Sequence, residues 1–433
     1  MEQYECTKCL ALNTNKDKCI SCGSLQLKLY AYDESAEIES RQKLNECYHS
    51  INQILKDYLD TSEDNYKIMS IWIIGTYFHK GFYSYPYLFF NAMRGSGKTR
   101  GLKLISNLGA KGDGSVQNNL TEAVLFRIEQ GTTTCIDEVE QIGSKEKQTL
   151  RELLNSAYKK GMKVKRMRKG RDEKGGEKQI VEVFEPYFPI CMANIWGMDE
   201  VLGDRSITLI LEKSSNEAIT KMIEDFDINP KIDEVKRTLK QISDVCDVTL
   251  RKKNIYQRWN NYIRSKYITS LTSYTYITTQ TTLTAQDIEF DELFNKIDKL
   301  GIAGRNLELF LPLLIVAEEV GVLDELLEVC GKLSSAKKNE EYNLSKDVNV
   351  YEFVITQENE GLNYLAIKDL TRMFRQFLGE EDNDDRWLNE KWFGRALKRL
   401  NLIIGNKKTN RGNQVVLNYN KAREKLKIFK EKE

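Results

Sequence analysis

The sequence predicts a multidomain α/β protein, and three observations predict it. At 433 residues the chain exceeds one small core, so about two to four domains are expected. Strand-like and helix-like segments alternate from Tyr85 to about residue 215, the pattern of an α/β sheet. Paired cysteines at one end and a compact, basic, helical segment at the other stand outside that alternation.

Composition narrows the classes. With 41% hydrophobic and 30% charged residues the chain reads as globular rather than disordered. Its net charge is +1, so any nucleic-acid binding must come from local basic patches. The opening Met1-Glu-Gln-Tyr-Glu-Cys6 lacks a basic flank followed by an apolar run. The most apolar stretch, Ile68 to Phe90, is broken by Gly75, His79, Lys80, Gly81 and Pro86. It reads as a buried helix and strand, not a membrane span. A cytoplasmic protein without membrane contact is the expectation.

Residues 1–30 carry Cys6-x-x-Cys9 and Cys19-x-x-Cys22. Two close pairs supply four thiolates to one tetrahedral ion, and a segment this short has too little core without it. A structural Zn²⁺ held by Cys6, Cys9, Cys19 and Cys22 in a zinc ribbon is expected. Residues 31–65 form a helical linker region, with Leu44, Tyr48, Ile51, Ile54, Leu55 and Tyr58 at helical spacing.

Residues 66–215 form the core. Tyr87-Leu-Phe-Phe-Asn-Ala-Met-Arg-Gly-Ser-Gly-Lys-Thr99 reads as a strand, a glycine turn and a helix start. That order surrounds phosphates with the N–H groups of Gly95, Ser96, Gly97, Lys98 and Thr99 at a helix N-terminus. Lys98 then reaches the β- and γ-phosphates, and the Thr99 hydroxyl ligates Mg²⁺. The pattern departs from G-x-x-x-x-G-K-[ST] at one place, where Ala92 stands for the first glycine. Thr132 to Val139 is a β-prone run ending in Asp137 and Glu138. Together these predict a P-loop ATPase, with Asp137 completing the Mg²⁺ site and Glu138 polarising the attacking water.

Between these acids and the next strand, Leu150 to Asn155 reads as a helix, and Tyr158 to Phe184 as a β-hairpin with a charged, turn-rich tip. Residues 216–345 read as helical, with a Ser/Thr/Tyr-rich interval from Thr269 to Thr284 that fits a linker or hairpin. Residues 346–433 read as a winged helix. Helices are expected over Tyr364–Leu378 and Asn389–Leu400. Ile403-Ile404 and Val415-Val-Leu417 flank a turn from Gly405 to Gly412. Arg395, Lys398, Arg399, Lys407, Lys408 and Arg411 make a basic face fit for duplex DNA, or a solvated face of an interaction domain.

The core resembles the AAA+ class, and within it the superfamily 3 and minichromosome-maintenance-like helicases of plasmids, phages and integrated elements. The features that carry this are Gly95–Thr99, Asp137-Glu138, Phe188-Pro-Ile-Cys-Met-Ala-Asn194, Val201-Leu-Gly-Asp-Arg-Ser-Ile-Thr-Leu209 and Gly304-Arg-Asn-Leu-Glu-Leu-Phe-Leu-Pro-Leu-Leu314. The resemblance implies that Asn194 contacts the γ-phosphate or the lytic water. It also implies that Arg205 is an arginine finger, and that Arg305 on a lid helix is a second sensor of nucleotide. It places the hairpin in a central pore, where Lys163, Lys165, Arg166, Arg168, Lys169 and Arg171 grip single-stranded DNA. A solvated, lysine-protected edge is the other account of those residues. A ring, expected to be hexameric, follows because a finger completes its neighbour's site. The implied function is an ATP-dependent replicative DNA helicase of a mobile element. An ATP-regulated initiator or helicase loader and an ATPase acting on protein stand as alternatives.

Overall fold

The computed structural model describes residues 3–6, 12–13, 17–18, 25, 27–30, 34–118, 120–139, 147–171, 177–195, 197–198, 200–245, 248–267, 285–344, 346–358, 364–379, 388–409 and 412–429. The chain divides into two compact units, residues 1–331 and 332–433.

The first unit opens with β1 (Gln3–Cys6), β2 (Leu12–Asn13) and β3 (Leu27–Tyr30), an antiparallel sheet with β1 in the middle. Cys6 ends β1, while Cys9, Cys19 and Cys22 lie outside the described residues, and the expected zinc site lies there with them. Helices α1 (Glu34–Tyr58) and α2 (Glu63–Thr76) follow. Ser62 caps α2 by accepting the Asn65 N–H on its Oγ at 3.2 Å. From Ile68 to Thr76 every residue of α2 is buried, which is why its sequence shows an unbroken apolar run instead of a stripe.

Helix α2 seats the strand that carries the glycine turn. Trp72 Nε1 donates to the Pro86 carbonyl at 2.8 Å, and the Tyr85 hydroxyl donates to the Trp72 carbonyl at 2.6 Å. Gly75 is what lets that hydroxyl in, because a Cβ there would collide with it. Strand β4 (Tyr87–Ala92) then leads through the turn into α3 (Lys98–Leu108). After them come α4 (Glu122–Leu125), β5 (Thr134–Ile136), α5 (Gln148–Ala157), β6 (Val164–Arg171) and β7 (Glu177–Phe184). The core ends with β8 (Ile190–Asn194), α6 (Glu200–Gly203) and β9 (Ser206–Leu211).

Four of these strands make one parallel sheet in the order β5-β8-β4-β9. Both faces are covered. Tyr87 and Phe89 of β4 join Leu150, Leu153 and Leu154 of α5 in one cluster, while Phe90 meets α3 at Gly101. Burial on two faces explains why Tyr87 to Phe90 is apolar without alternation. Strands β6 and β7 form a separate antiparallel ribbon, Val164 opposite Phe184 and Arg171 opposite Glu177, as the sequence pattern predicts.

The rest of this unit is helical: α7 (Glu217–Lys221), α8 (Pro230–Val245), α9 (Val248–Tyr267), α10 (Ala285–Lys299) and α11 (Gly304–Val320). The division between units falls within α12 (Leu323–Leu344). The interval 269–284 lies outside the described residues. Pro312 inside α11 has no N–H for the Glu308 carbonyl one turn earlier, and the Ser84 hydroxyl donates to that carbonyl instead, at 2.9 Å. Among the described residues no helix is long and apolar enough to cross a membrane.

The second unit runs α13 (Lys346–Thr356), β10 (Leu365–Ala366), α14 (Ile367–Leu378), α15 (Glu390–Arg399), β11 (Ile403–Thr409), β12 (Gly412–Leu417) and α16 (Tyr419–Phe429). Its sheet has the order β10-β12-β11, and its core gathers the rings of Phe353, Phe374 and Phe393. Two expectations are corrected. The helix predicted from Tyr364 starts at Ile367, because Leu365 and Ala366 pair with Val415 and Gln414 of β12. The turn predicted over 405–412 is mostly strand, with Lys407 and Lys408 paired to Gln414 and Asn413.

Candidate functional site

The turn after β4 has the conformation its glycines suggest. Gly95 and Gly97 adopt φ of +76° and +82°, a region that L side chains enter only with strain. Ala92, in contrast, is the last residue of β4 and is buried, with none of the left-handed backbone that would demand glycine. The departure from the glycine pattern is therefore structurally neutral. Gly97 is the N-cap of α3, so the first N–H groups of that helix, Lys98 and Thr99 among them, have no intrahelical acceptor. Within the turn Ser96 is the residue that folds back, donating from both N–H and Oγ to the Met93 carbonyl.

Three predicted residues converge on one buried carboxylate. Asp137, directly after β5, is 5% exposed. Lys98 Nζ lies 2.8 Å from its Oδ1, and the Thr99 hydroxyl donates to its Oδ2 at 2.9 Å. The Glu138 N–H closes on Oδ1 at 2.9 Å. Three donors, one of them cationic, compensate this buried anion. The sheet explains the meeting. Parallel pairing sets Asn91 of β4 opposite Asn194 of β8, and Ile136 of β5 opposite Met192. Asp137, Glu138 and Asn194 thus stand on one carboxyl edge beside the glycine turn. β4 is also where the chain switches sides, since β5 and β8 lie on one flank and β9 on the other. Such a switch point opens the crevice in which α/β sheets bind ligands.

Glu138 is exposed and holds φ of +56°, an uncommon value for a residue with a long side chain. Among the described residues nothing bonds its carboxylate. Asn194 is buried at 3% exposure and donates from Nδ2 to the Gly197 carbonyl at 2.6 Å. Thr99 and Asp137 put two hard oxygens, one of them anionic, within hydrogen-bond distance of each other. This donor set fits Mg²⁺, which takes one or two protein oxygens and fills its octahedron with phosphate oxygens and water.

Arg205 and Arg305 stand at the other edge. The Arg205 carbonyl accepts from Tyr87 N–H at 3.1 Å, level with the start of β4. Its Nε donates to the Asn155 carbonyl at 3.1 Å and its Nη1 to the Val201 carbonyl. Arg305 donates from Nε to Asp204 at 3.0 Å and from Nη1 to the Tyr158 hydroxyl at 2.6 Å and to Glu308. Both guanidinium groups approach the Tyr158 ring, Arg205 at 5.2 Å and Arg305 at 5.1 Å from its centre. The two arginines therefore belong to one cluster, on the edge remote from their own glycine turn. Tyr158 carries no motif that would have marked it as their common contact.

Another residue without a sequence signal is Arg100. From the first turn of α3 it donates to the carbonyls of Tyr58 at 3.3 Å, Ile219 at 2.9 Å and Met222 at 2.8 Å.

Of the basic hairpin residues, Lys163 and Lys165 are exposed, and Arg166, Arg168, Lys169 and Arg171 are described by their strand pairing alone. In the second unit Arg395, Lys398, Lys407 and Lys408 are exposed. Lys391, one turn before Arg395, joins them. Arg399 is exposed too, but both its terminal amines are held by Asp347, at 2.8 and 2.6 Å. Arg411 lies outside the described residues. Among the described residues no cluster of His, Cys, Asp and Glu outlines a further metal site. No protein-family model matches the chain, and no curated protein matches it.

Proposed function

We propose that this protein is a ring-forming, DNA-dependent ATPase that translocates on DNA as a helicase. One observation carries the ATPase half: Lys98, Thr99 and Asp137 meet within 2.9 Å beside a turn held open by Gly95 and Gly97. In this mechanism the turn amides and the α3 N-terminus bind the phosphates. Lys98 exchanges Asp137 for phosphate oxygens. Thr99 and Asp137 would hold Mg²⁺, whose positive charge would neutralise those oxygens. Glu138 accepts the proton of the attacking water, which its exposed carboxylate on the same edge suits. Asn194 orients that water or the terminal phosphate with its amide.

Support for DNA as the partner is of a different kind. The ribbon of β6 and β7 stands as a two-stranded sheet of its own, with Lys163 and Lys165 exposed. Exposed lysines of this sort bind phosphates without regard to sequence. The second unit has a helix pair followed by a β-ribbon with exposed lysines on both parts, the layout of a winged helix on a duplex. The position of Arg205 at the edge remote from its own glycine turn supports a ring, since from there it would reach a nucleotide only on a neighbouring subunit.

The deciding experiment measures ATP turnover of the full chain with and without single-stranded DNA, then strand displacement on a forked duplex. Turnover stimulated by DNA and coupled to displacement is expected. Absence of turnover refutes the ATPase, absence of stimulation refutes DNA as the partner, and stimulation without displacement leaves a loader in place of a helicase.

A further inference from the structure

Tyr158 follows the last residue of α5, and Gly161 then turns the chain toward β6 with φ of +85°. This junction is fixed from several sides. The Tyr85 N–H donates to the Tyr158 carbonyl at 2.9 Å, and the Lys160 N–H to the Tyr83 carbonyl at 2.8 Å. The backbone is thereby paired to the segment that enters β4. Lys159 is bound to Glu308 of α11. The Tyr158 ring meets Tyr87 of β4 edge-on, with centres 6.5 Å apart, and the residue is only 6% exposed. A ring enclosed in this way keeps one orientation.

Two guanidinium groups share that ring, and they differ in how their charge is met. Arg305 pairs with Asp204 at 3.0 Å and with Glu308, and it donates to the Tyr158 hydroxyl at 2.6 Å. Two carboxylates therefore balance its charge. Asp204 is also the residue before Arg205, so the same pair pins the backbone there. Arg205 itself has no such partner. Its guanidinium contacts are the Asn155 and Val201 carbonyls and the Tyr158 ring, all of them neutral. Among the described residues no carboxylate pairs with Arg205, and its Nη2 makes no hydrogen bond.

That difference has a chemical meaning. Carbonyl dipoles and an aromatic face fix the direction of a cation without cancelling its charge. A carboxylate would hold the group more strongly but would neutralise the charge that a transferring phosphoryl group needs. The cluster thus keeps one arginine neutralised as a clamp and the other oriented at full charge.

We propose that Tyr158 is a positioning residue for Arg205, its ring aiming the guanidinium and its hydroxyl anchored by Arg305. The inference rests on the reading of Arg205 as a finger for a neighbouring subunit. Steady-state ATP turnover of the full chain tests it, with light scattering to confirm assembly. Tyr158→Leu, which removes ring and hydroxyl, is expected to lower kcat tenfold or more while KM stays within twofold. Tyr158→Phe, which removes the hydroxyl alone, is expected to lower kcat about threefold, and it carries the test if the leucine variant does not assemble. The defect should lie on the side of the ring interface that donates the finger. An equal mixture of Tyr158→Leu and Lys98→Ala proteins should therefore turn over more ATP than either alone at the same total concentration. Native kcat in either Tyr158 variant, a rise in KM that accounts for the loss, or a mixture no faster than its components overturns the assignment of Tyr158 alone. If Arg205→Ala turns over ATP normally, or fails to complement Lys98→Ala, the finger reading falls and this inference with it.

Discussion

Removing the Arg205 guanidinium tests the ring through one residue. Strand β4 has six residues, and at about 3.3 Å per residue its two ends are about 20 Å apart. Arg205 is level with the first of them and the glycine turn follows the last. An arginine side chain spans roughly a third of that distance, so Arg205 cannot touch the phosphates of its own chain. If it acts on a neighbour, Arg205→Ala should bind ATP normally yet turn it over at least about a thousandfold more slowly, the scale of arginine fingers. The same residue also holds the Asn155 and Val201 carbonyls and stacks on Tyr158, so the variant should lose on the order of 1–2 kcal/mol of stability. Stability loss alone does not predict complementation, and complementation separates the two roles. In an equal mixture with Lys98→Ala protein, about one interface in four pairs an intact loop with an intact finger in a head-to-tail ring. ATP turnover is measured across mixing ratios, with light scattering to confirm assembly. Recovery that peaks near equal proportions is expected. Mixed rings that stay inactive at every ratio would show that Arg205 is structural, and the case for an obligatory ring would lose its main support.

Other outcomes follow from the same structure. Lys98→Ala should abolish nucleotide binding or turnover, whereas Glu138→Gln should retain ATP and block hydrolysis; unimpaired turnover in either refutes its assigned role. Elemental analysis should find one zinc per chain, lost in the Cys6→Ser, Cys9→Ser double variant; zinc retained there places the site elsewhere. Replacing Lys169 and Arg171 by alanine should weaken single-stranded DNA binding and flatten its salt dependence by about 1.4 in log–log slope, leaving basal turnover intact. Unchanged binding would return the ribbon to a solvated edge. His79 gives a pH dependence. Burial, with Nε2 left without a partner, holds its imidazole down to about 4 from its usual 6.5. Above the higher value both folded and unfolded states keep it neutral. Below it the unfolded chain takes a proton that the folded core refuses, so stability falls as pH falls toward the lower value. The loss should be about 2 kcal/mol by pH 5 in denaturant melts, and a His79→Gln variant should show a flatter acid limb. An identical limb in the variant would exclude His79 as its source.

What was legible in the sequence is what chemistry forces into consecutive residues. A strand, a glycine turn and a helix start follow one another in unbroken order from Tyr87 to Thr99, so this local structure is legible in the sequence. The Asp137-Glu138 pair at the end of a β-prone run is local in the same way. The misplaced boundaries have a different origin. Leu365 and Ala366 have helix-compatible side chains, and only β12, far along the chain, pulls them into a sheet. Lys407 and Lys408 look like turn residues because they are charged, yet they occupy the edge strand of a ribbon, where lysine guards an unpaired edge. The Arg205–Tyr158–Arg305 cluster could not be read locally at all. Its members meet only after the sheet order is known.

Under its proposed role, Glu138 would place stability and activity in opposition within one backbone unit. Glycine would adopt its left-handed conformation about 1 kcal/mol more cheaply, and asparagine would also tolerate it better than a long acidic side chain does. Selection for a robust fold alone thus pushes position 138 away from glutamate. If Glu138 has the proposed role, replacing it by glycine should raise thermal resistance while removing turnover. Directed selection for heat tolerance without an activity screen would follow the same course.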